Sequence, residues 1–192
     1  MSKYLRAILI GFAVAFVVSL LFSLALCDTG LGVFFGVFAG VFVAYILSNL
    51  AGNRKVAAAS PAERQAALDF KAPDGRALVY VYREGFVAMA AGMNVAVDGQ
   101  EVVQLKSPRF TRLVLSPGTH RFQAAFGGLA GAQSKASSYD FQAVAGQVAV
   151  LRIGANMGLI QGSISFTPAP DPAALAGKLG GMTMVAASPA EL

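Results

Sequence analysis

Two long stretches without a charged side chain open the chain, at positions 7–27 and 31–50, and only Asp28-Thr29-Gly30 separates them. As a helix rising ~1.5 Å per residue, the 21 residues of the first run reach about 31 Å, close to the ~30 Å thickness of bilayer hydrocarbon. The second run is 20 residues of mostly Phe, Val, Leu and Gly. Neither alternates apolar with polar residues, as a membrane β-strand would. The pattern predicts a transmembrane α-helical hairpin over 1–52, with spans at about 7–27 and 31–50 and a turn at 28–30.

The character changes over 53–76, which reads as a linker. Ser60-Pro61-Ala62-Glu63 is a capping box with Pro at the first helical position, so a short helix is expected over 61–70. Pro73-Asp74-Gly75 supplies turn chemistry after it.

From position 77 the period shortens to two. Residues 77–82 are apolar on both faces, as a central strand is. Residues 94–97 and 101–105 flank Asp98-Gly99, a hairpin signal. Residues 110–115 lead to Ser116-Pro117-Gly118, which suits a type II turn. Over 119–126, Thr119, Arg121 and Gln123 alternate with His120, Phe122, Ala124 and Phe126. Further strands are expected at 137–144, 147–153 and 159–167. Seven or eight short strands at this spacing predict an all-β sandwich over 77–168. A short helix capped by Asp171 and a loose tail complete 169–192. The fold class is thus a mixed membrane protein: a helical hairpin followed by a β-sandwich with short flanking helices.

Small residues recur every fourth position in both spans. Ala7, Gly11, Ala15, Ser19, Ser23 and Cys27 mark the first; Gly32, Gly36, Gly40, Ala44 and Ser48 mark the second. Such spacing puts them near one face, where backbones can approach closely. Gly11, Ala15, Ser19, Ser23, Gly32, Gly36, Gly40 and Ala44 are therefore the candidate helix-packing residues. Stripe on stripe within one hairpin is one reading, and self-association of copies is the other.

Charge sets orientation. Residues 1–50 carry three formal charges, Lys3, Arg6 and Asp28, and the other 142 residues carry 22. Lys3 and Arg6 precede the first span, and Arg54, Lys55 and Arg64 follow the second. Cations on both outer flanks predict a multi-pass inner-membrane protein with both termini cytoplasmic. Arg54, Lys55 and Arg64 are candidate contacts for lipid headgroups. With 15 Lys and Arg against 10 Asp and Glu the net charge is +5, less than a nucleic-acid footprint calls for, so no nucleic-acid partner is expected. The one Cys excludes an internal disulfide. Cys27 is a candidate lipidation site, as the end of a lipoprotein leader, although Leu26 stands where such leaders carry a small residue. No acid, base or His lies within either span, which argues against a pump.

The run Ala77-Leu78-Val79-Tyr80-Val81-Tyr82-Arg83, then Val95-Ala96-Val97-Asp98-Gly99, then Leu113-Val114-Leu115-Ser116-Pro117-Gly118-Thr119-His120 resembles an uncharacterised family of bacterial envelope β-sandwich domains and is similar to PEGA domains. The resemblance covers about 76–126 and lies mostly in turn chemistry. It implies a sandwich fold and no catalytic residues. Members are commonly lipoproteins facing the periplasm, so it also implies a periplasmic β domain as the alternative placement.

Candidate chemistry is sparse. His120, the one His, has Ser116 near it in sequence, but neither a triad nor a metal site can be assembled from the residues around it. Gly127-Gly128-Leu129-Ala130-Gly131 lacks the Lys of a phosphate cradle and is expected to be a flexible hairpin loop. Lys106, Arg109, Arg112 and Arg121 are expected on a solvated strand face. No enzyme activity, cofactor or metal is expected. The leading expectation is a membrane-anchored β-sandwich that binds a protein partner or serves in an envelope assembly. Alternatives are a homo-oligomer assembled through its glycine stripes and an envelope protein binding lipid or a small ligand.

Overall fold

The computed structural model describes residues 1–158 and 161–192. It contains two long apolar N-terminal helices and a β-rich C-terminal region with two sheets.

Helix α1 runs Lys3–Leu26 and helix α2 runs Thr29–Leu50. Their 24 and 22 residues correspond to about 36 and 33 Å, long and apolar enough to cross a membrane. The reversal between them is tighter than the expected 28–30 turn. Cys27 adopts a left-handed conformation (φ 52°), and Asp28 caps α2 by accepting from Leu31 N at 3.0 Å. Thr29 and Gly30 are already helical, because an N-cap carboxylate starts the helix at the next residue.

Helix α3, Pro61–Ala67, carries the expected capping box: Glu63 N donates to Ser60 Oγ (3.2 Å) and Ser60 N to Glu63 Oε2 (2.7 Å). The hydrogen bond from the Ser60 backbone, then that with its side chain, holds the Glu63 carboxyl below its ordinary range. The helix stops three residues short of the expected Phe70, which sits at φ 50° outside it. That placement lets Phe70 stack on Tyr80 with ring centroids 4.5 Å apart.

Ten strands occur among the described residues: β1 Ala77–Arg83, β2 Met93–Val97, β3 Gln100–Leu105, β4 Arg109–Leu115, β5 Gly118–Phe126, β6 Ser134–Lys135, β7 Ser137–Ala143, β8 Val148–Asn156, β9 Gly162–Pro168 and β10 Thr183–Met184. One sheet has the order β10-β4-β1-β8-β9-β6, the other β3-β2-β5-β7. Positions 159 and 160 of the expected last strand lie outside the described residues; the strand itself is β9.

The Asp98-Gly99 turn joins β2 to β3 with both residues at positive φ (51° and 81°), as a type I′ hairpin requires. Ser116-Pro117-Gly118, expected as a type II turn, is not a connection within one sheet. β4 and β5 belong to different sheets, so the segment crosses between layers as a bend and Gly118 already starts β5. Nor is 127–131 a plain loop: Gly131 N bonds to Gly127 O (3.4 Å), and α4, Gly128–Ala132, makes one helical turn.

β1 is buried along its whole length. Leu78, Tyr80 and Tyr82 face a cluster with Ala67 of α3, Phe110 and Val114 of β4, and Met182. Leu179 of α5, Ala176–Gly180, belongs to the same cluster, after a 3-10 turn at Ala173–Leu175. The flanking helices thus cover one face of the larger sheet. On the opposite face of β1, Val79 and Val81 are paired across the strands with Leu113 and Thr111 of β4 and with Ala149 and Leu151 of β8. Tyr139 of β7 stacks on Phe166 of β9 from one sheet to the other, centroids 6.0 Å apart.

The expected loose tail is instead a structural strand. β10 pairs in parallel with β4, Val185 N donates to Phe110 O (2.8 Å), and Leu192 N donates to Val114 O (2.9 Å). The reason is the outer edge of β4, whose unpaired backbone groups take the tail as a partner.

Candidate functional site

The hairpin brings the two small-residue stripes together. A Cβ on Gly36 would lie 2.6 Å from Ser19 Cβ, one on Gly40 2.6 Å from Ala15 Cβ, and one on Gly11 2.7 Å from Ala44 Cβ. A Cβ on Gly32 would collide with the Ser23 side chain and lie 2.7 Å from its backbone N. Each distance is shorter than side chains tolerate, so the two backbones meet where only hydrogen replaces a side chain. Gly11, Ala15, Ser19, Ser23, Gly32, Gly36, Gly40 and Ala44 therefore all lie on the α1–α2 seam. Phe22 and Phe35 close the same seam with centroids 4.9 Å apart. The outward faces carry large apolar groups: Phe12 and Phe16 are each 71% exposed and Phe38 66%. Cys27 is exposed in the reversal between the helices.

The three candidate headgroup cations have different surroundings. Lys55 is exposed. Arg54 makes a two-pronged pair with Glu101, Nη1–Oε1 at 2.6 Å and Nη2–Oε2 at 2.8 Å. Arg64 turns toward the protein and donates to the carbonyls of Gly180 and Met182, bracing α3 against the end of α5.

His120 has a structural role legible in its partners. It is 9% exposed, with Nδ1 2.6 Å from Asp98 Oδ2 and Nε2 2.8 Å from the carbonyl oxygen of Ser116. The ring meets the Ser116 backbone, not its hydroxyl, which donates to Leu192 O (3.0 Å) and accepts from Arg76 (2.7 Å). Asp98 Oδ1 also accepts from Arg121 N at 2.7 Å. Burial pushes the Asp98 carboxyl up, but the hydrogen bonds from Arg121 N and from His120 outweigh it and hold the group below its ordinary value. His120 thus ties the β2–β3 turn to the crossover between sheets.

The expected basic strand face dissolves into separate roles. Arg121 forks onto Asp140 (2.7 and 3.1 Å) across β5 and β7, and that pairing holds the Asp140 carboxyl down and the Arg121 guanidinium up. Arg112 is half-buried, with its Nε shielded from solvent.

Arg83 is the residue sequence reasoning missed. It ends β1 only 1% exposed. Its guanidinium donates to the carbonyls of Ala88 (2.7 Å), Leu105 (3.0 Å), Val87 (3.4 Å) and Ala91, and lies 5.0 Å from the Phe126 ring centre. Burial lowers its pKa to about 10. One signal was available: a strand apolar on both faces ends in a charge and leads through Glu84 into Gly85-Phe86. Next to it Glu84 pairs with Arg152 (3.2 Å) and Lys178 (2.6 Å). Glu84 and Arg152 border a polar cleft of about 110 Å³, well below the ~300 Å³ at which small-molecule sites begin. No three metal-ligating side chains gather among the described residues.

No protein-family model matches the chain, and no curated protein matches it either.

Proposed function

We propose that the chain is a non-enzymatic, membrane-anchored protein whose hairpin spans a bacterial inner membrane and whose β domain binds a protein partner as an accessory part of an envelope assembly. The observation that carries the anchor is the outward face of α1 and α2. Phe12, Phe16, Leu24, Phe38 and Val41 are exposed along both helices, an apolar surface that water does not tolerate and lipid does. The Lys3 and Arg6 flank and the Arg54 and Lys55 flank favour both termini on the cytoplasmic side. The likeness of residues 76–126 to periplasmic PEGA-like domains supports the opposite side for the β domain.

Partner binding rests on β7. It ends the smaller sheet and pairs with β5 alone among the described strands, leaving a backbone edge of the kind that protein ligands extend. The non-enzymatic reading is supported by the engagement of His120 and Ser116 in holding turns and the C-terminal tail. Nothing favours assembly through the glycine stripes, which face each other within one hairpin. Cross-linking in native membranes followed by purification of the full chain tests the proposal. A second protein recovered in fixed ratio is expected. Recovery of the chain alone at monomer mass contradicts it, and recovery of the chain linked only to itself replaces it with the homo-oligomer.

A further inference from the structure

Residues 84–92 present an apolar tip on a rigid base. Phe86 is 87% exposed and Met89 42%, with Ala88 and Ala90 exposed beside them. The backbone beneath is fixed. Arg83 binds the carbonyls of Val87, Ala88 and Ala91, Ser107 N donates to Met89 O (3.1 Å), and Met89 N closes a turn onto Phe86 O (3.2 Å). A buried guanidinium bound to several carbonyls of one loop holds these apolar groups in water, in a fixed arrangement.

The chain itself says what lies near. Asn53 clasps the loop in both directions: its Nδ2 donates to Ala90 O (2.9 Å) and its Oδ1 accepts from Gly92 N (2.6 Å). Asn53 is the third residue after Leu50, the last of α2. Three residues span at most ~11 Å even when fully extended. The headgroup layer on each side of the hydrocarbon is ~5–8 Å deep. A helix ending at the membrane surface therefore delivers this loop to the interface. Two lysines stand next to its anchoring points, as contact with an anionic surface favours: Lys55 lies two residues after Asn53, and Lys106 precedes the Ser107 that binds Met89.

We infer that residues 84–92 form a lipid-contact loop, with Phe86 and Met89 inserted at the headgroup–acyl boundary of the leaflet in which α2 ends. The inference rests on the proposed membrane-spanning hairpin. The occupant is phospholipid, and the contact presses the β domain onto the bilayer instead of leaving it on a free linker.

The test uses the full chain with Cys27→Ser, reconstituted into phosphatidylcholine–phosphatidylglycerol vesicles that carry a nitroxide near the top of the acyl chain. An environment-sensitive fluorophore is attached singly at Phe86→Cys or Phe38→Cys, with Ser138→Cys on the outer face of the smaller sheet as the aqueous reference. Loss of fluorescence at both 86 and 38 relative to 138 is the expected result. Loss at 38 with 86 matching 138 overturns the lipid-contact loop and leaves the spanning hairpin standing; a protein-binding role for the loop would give this pattern. No loss at 38 or 86 overturns both. Phe86 is almost fully exposed, so its replacement removes no packing.

Discussion

At the scale of single residues, the charged side chains with most influence are Asp98 and Arg83, and each acts on a turn. Asp98 sits at the left-handed first position of a type I′ turn, which Asn also accepts, and binds His120 and Arg121 N. Its folded pKa lies below the ordinary value, so its contribution to stability is complete above about pH 4 and is lost as pH falls through the folded value. Asp98→Asn should therefore unfold at a lower temperature than the parent near neutrality, and the gap should narrow as pH drops below about 4. Thermal unfolding in detergent across that range measures it. Arg83→Met keeps most of the side chain's bulk but strips donors from buried carbonyls, at a cost of about 2–4 kcal/mol. Denaturant unfolding should show that loss, and proteolysis should cut within 84–92 earlier than in the parent.

At the scale of elements, the hairpin and most of the strands were legible because their signals are local. Uncharged runs, the Ser60–Glu63 capping box, Asp98-Gly99 and the alternation over 119–126 each write their structure into a few consecutive residues. What was illegible depends on distant pairing. β1 lies parallel to β8, some seventy positions away, and nothing around either strand announces that register. The tail has no periodicity, and its order comes from the β4 edge that receives it. Arg83 had the same obscurity, because a terminal strand charge normally faces water and here faces carbonyls of a loop. Removing residues 186–192 deletes bonds to Val102, Val114 and Ser116, which should cost about 2–4 kcal/mol. The bared edge should also cause concentration-dependent scattering on heating. Gly36→Ile forces a branched side chain against Ser19 and the Ala15 carbonyl. Spin labels on outward-facing Phe12 and Phe42 should lie further apart, or over a broader range of distances, than in the parent.

At the scale of the whole molecule, composition separates into two causes. The hairpin accounts for most of the excess hydrophobicity, with three of the chain's charges in its first 50 residues. The β domain is also sparsely charged, and its fold shows how such a domain can manage: its own C-terminus covers one edge, and ion pairs such as Arg121–Asp140 lace the outer sheet face. The candidate site was less legible than the fold. Seam residues could be named from spacing alone. The apolar tip at 84–92 could not, since its exposure depends on Arg83 being turned inward beneath it. Anchoring joins these features, and alkaline carbonate extraction of membranes containing the full chain tests it most directly. The chain should stay wholly with the membrane pellet, as an integral protein does; release into the supernatant alongside peripheral proteins would contradict the spanning hairpin and everything proposed on it.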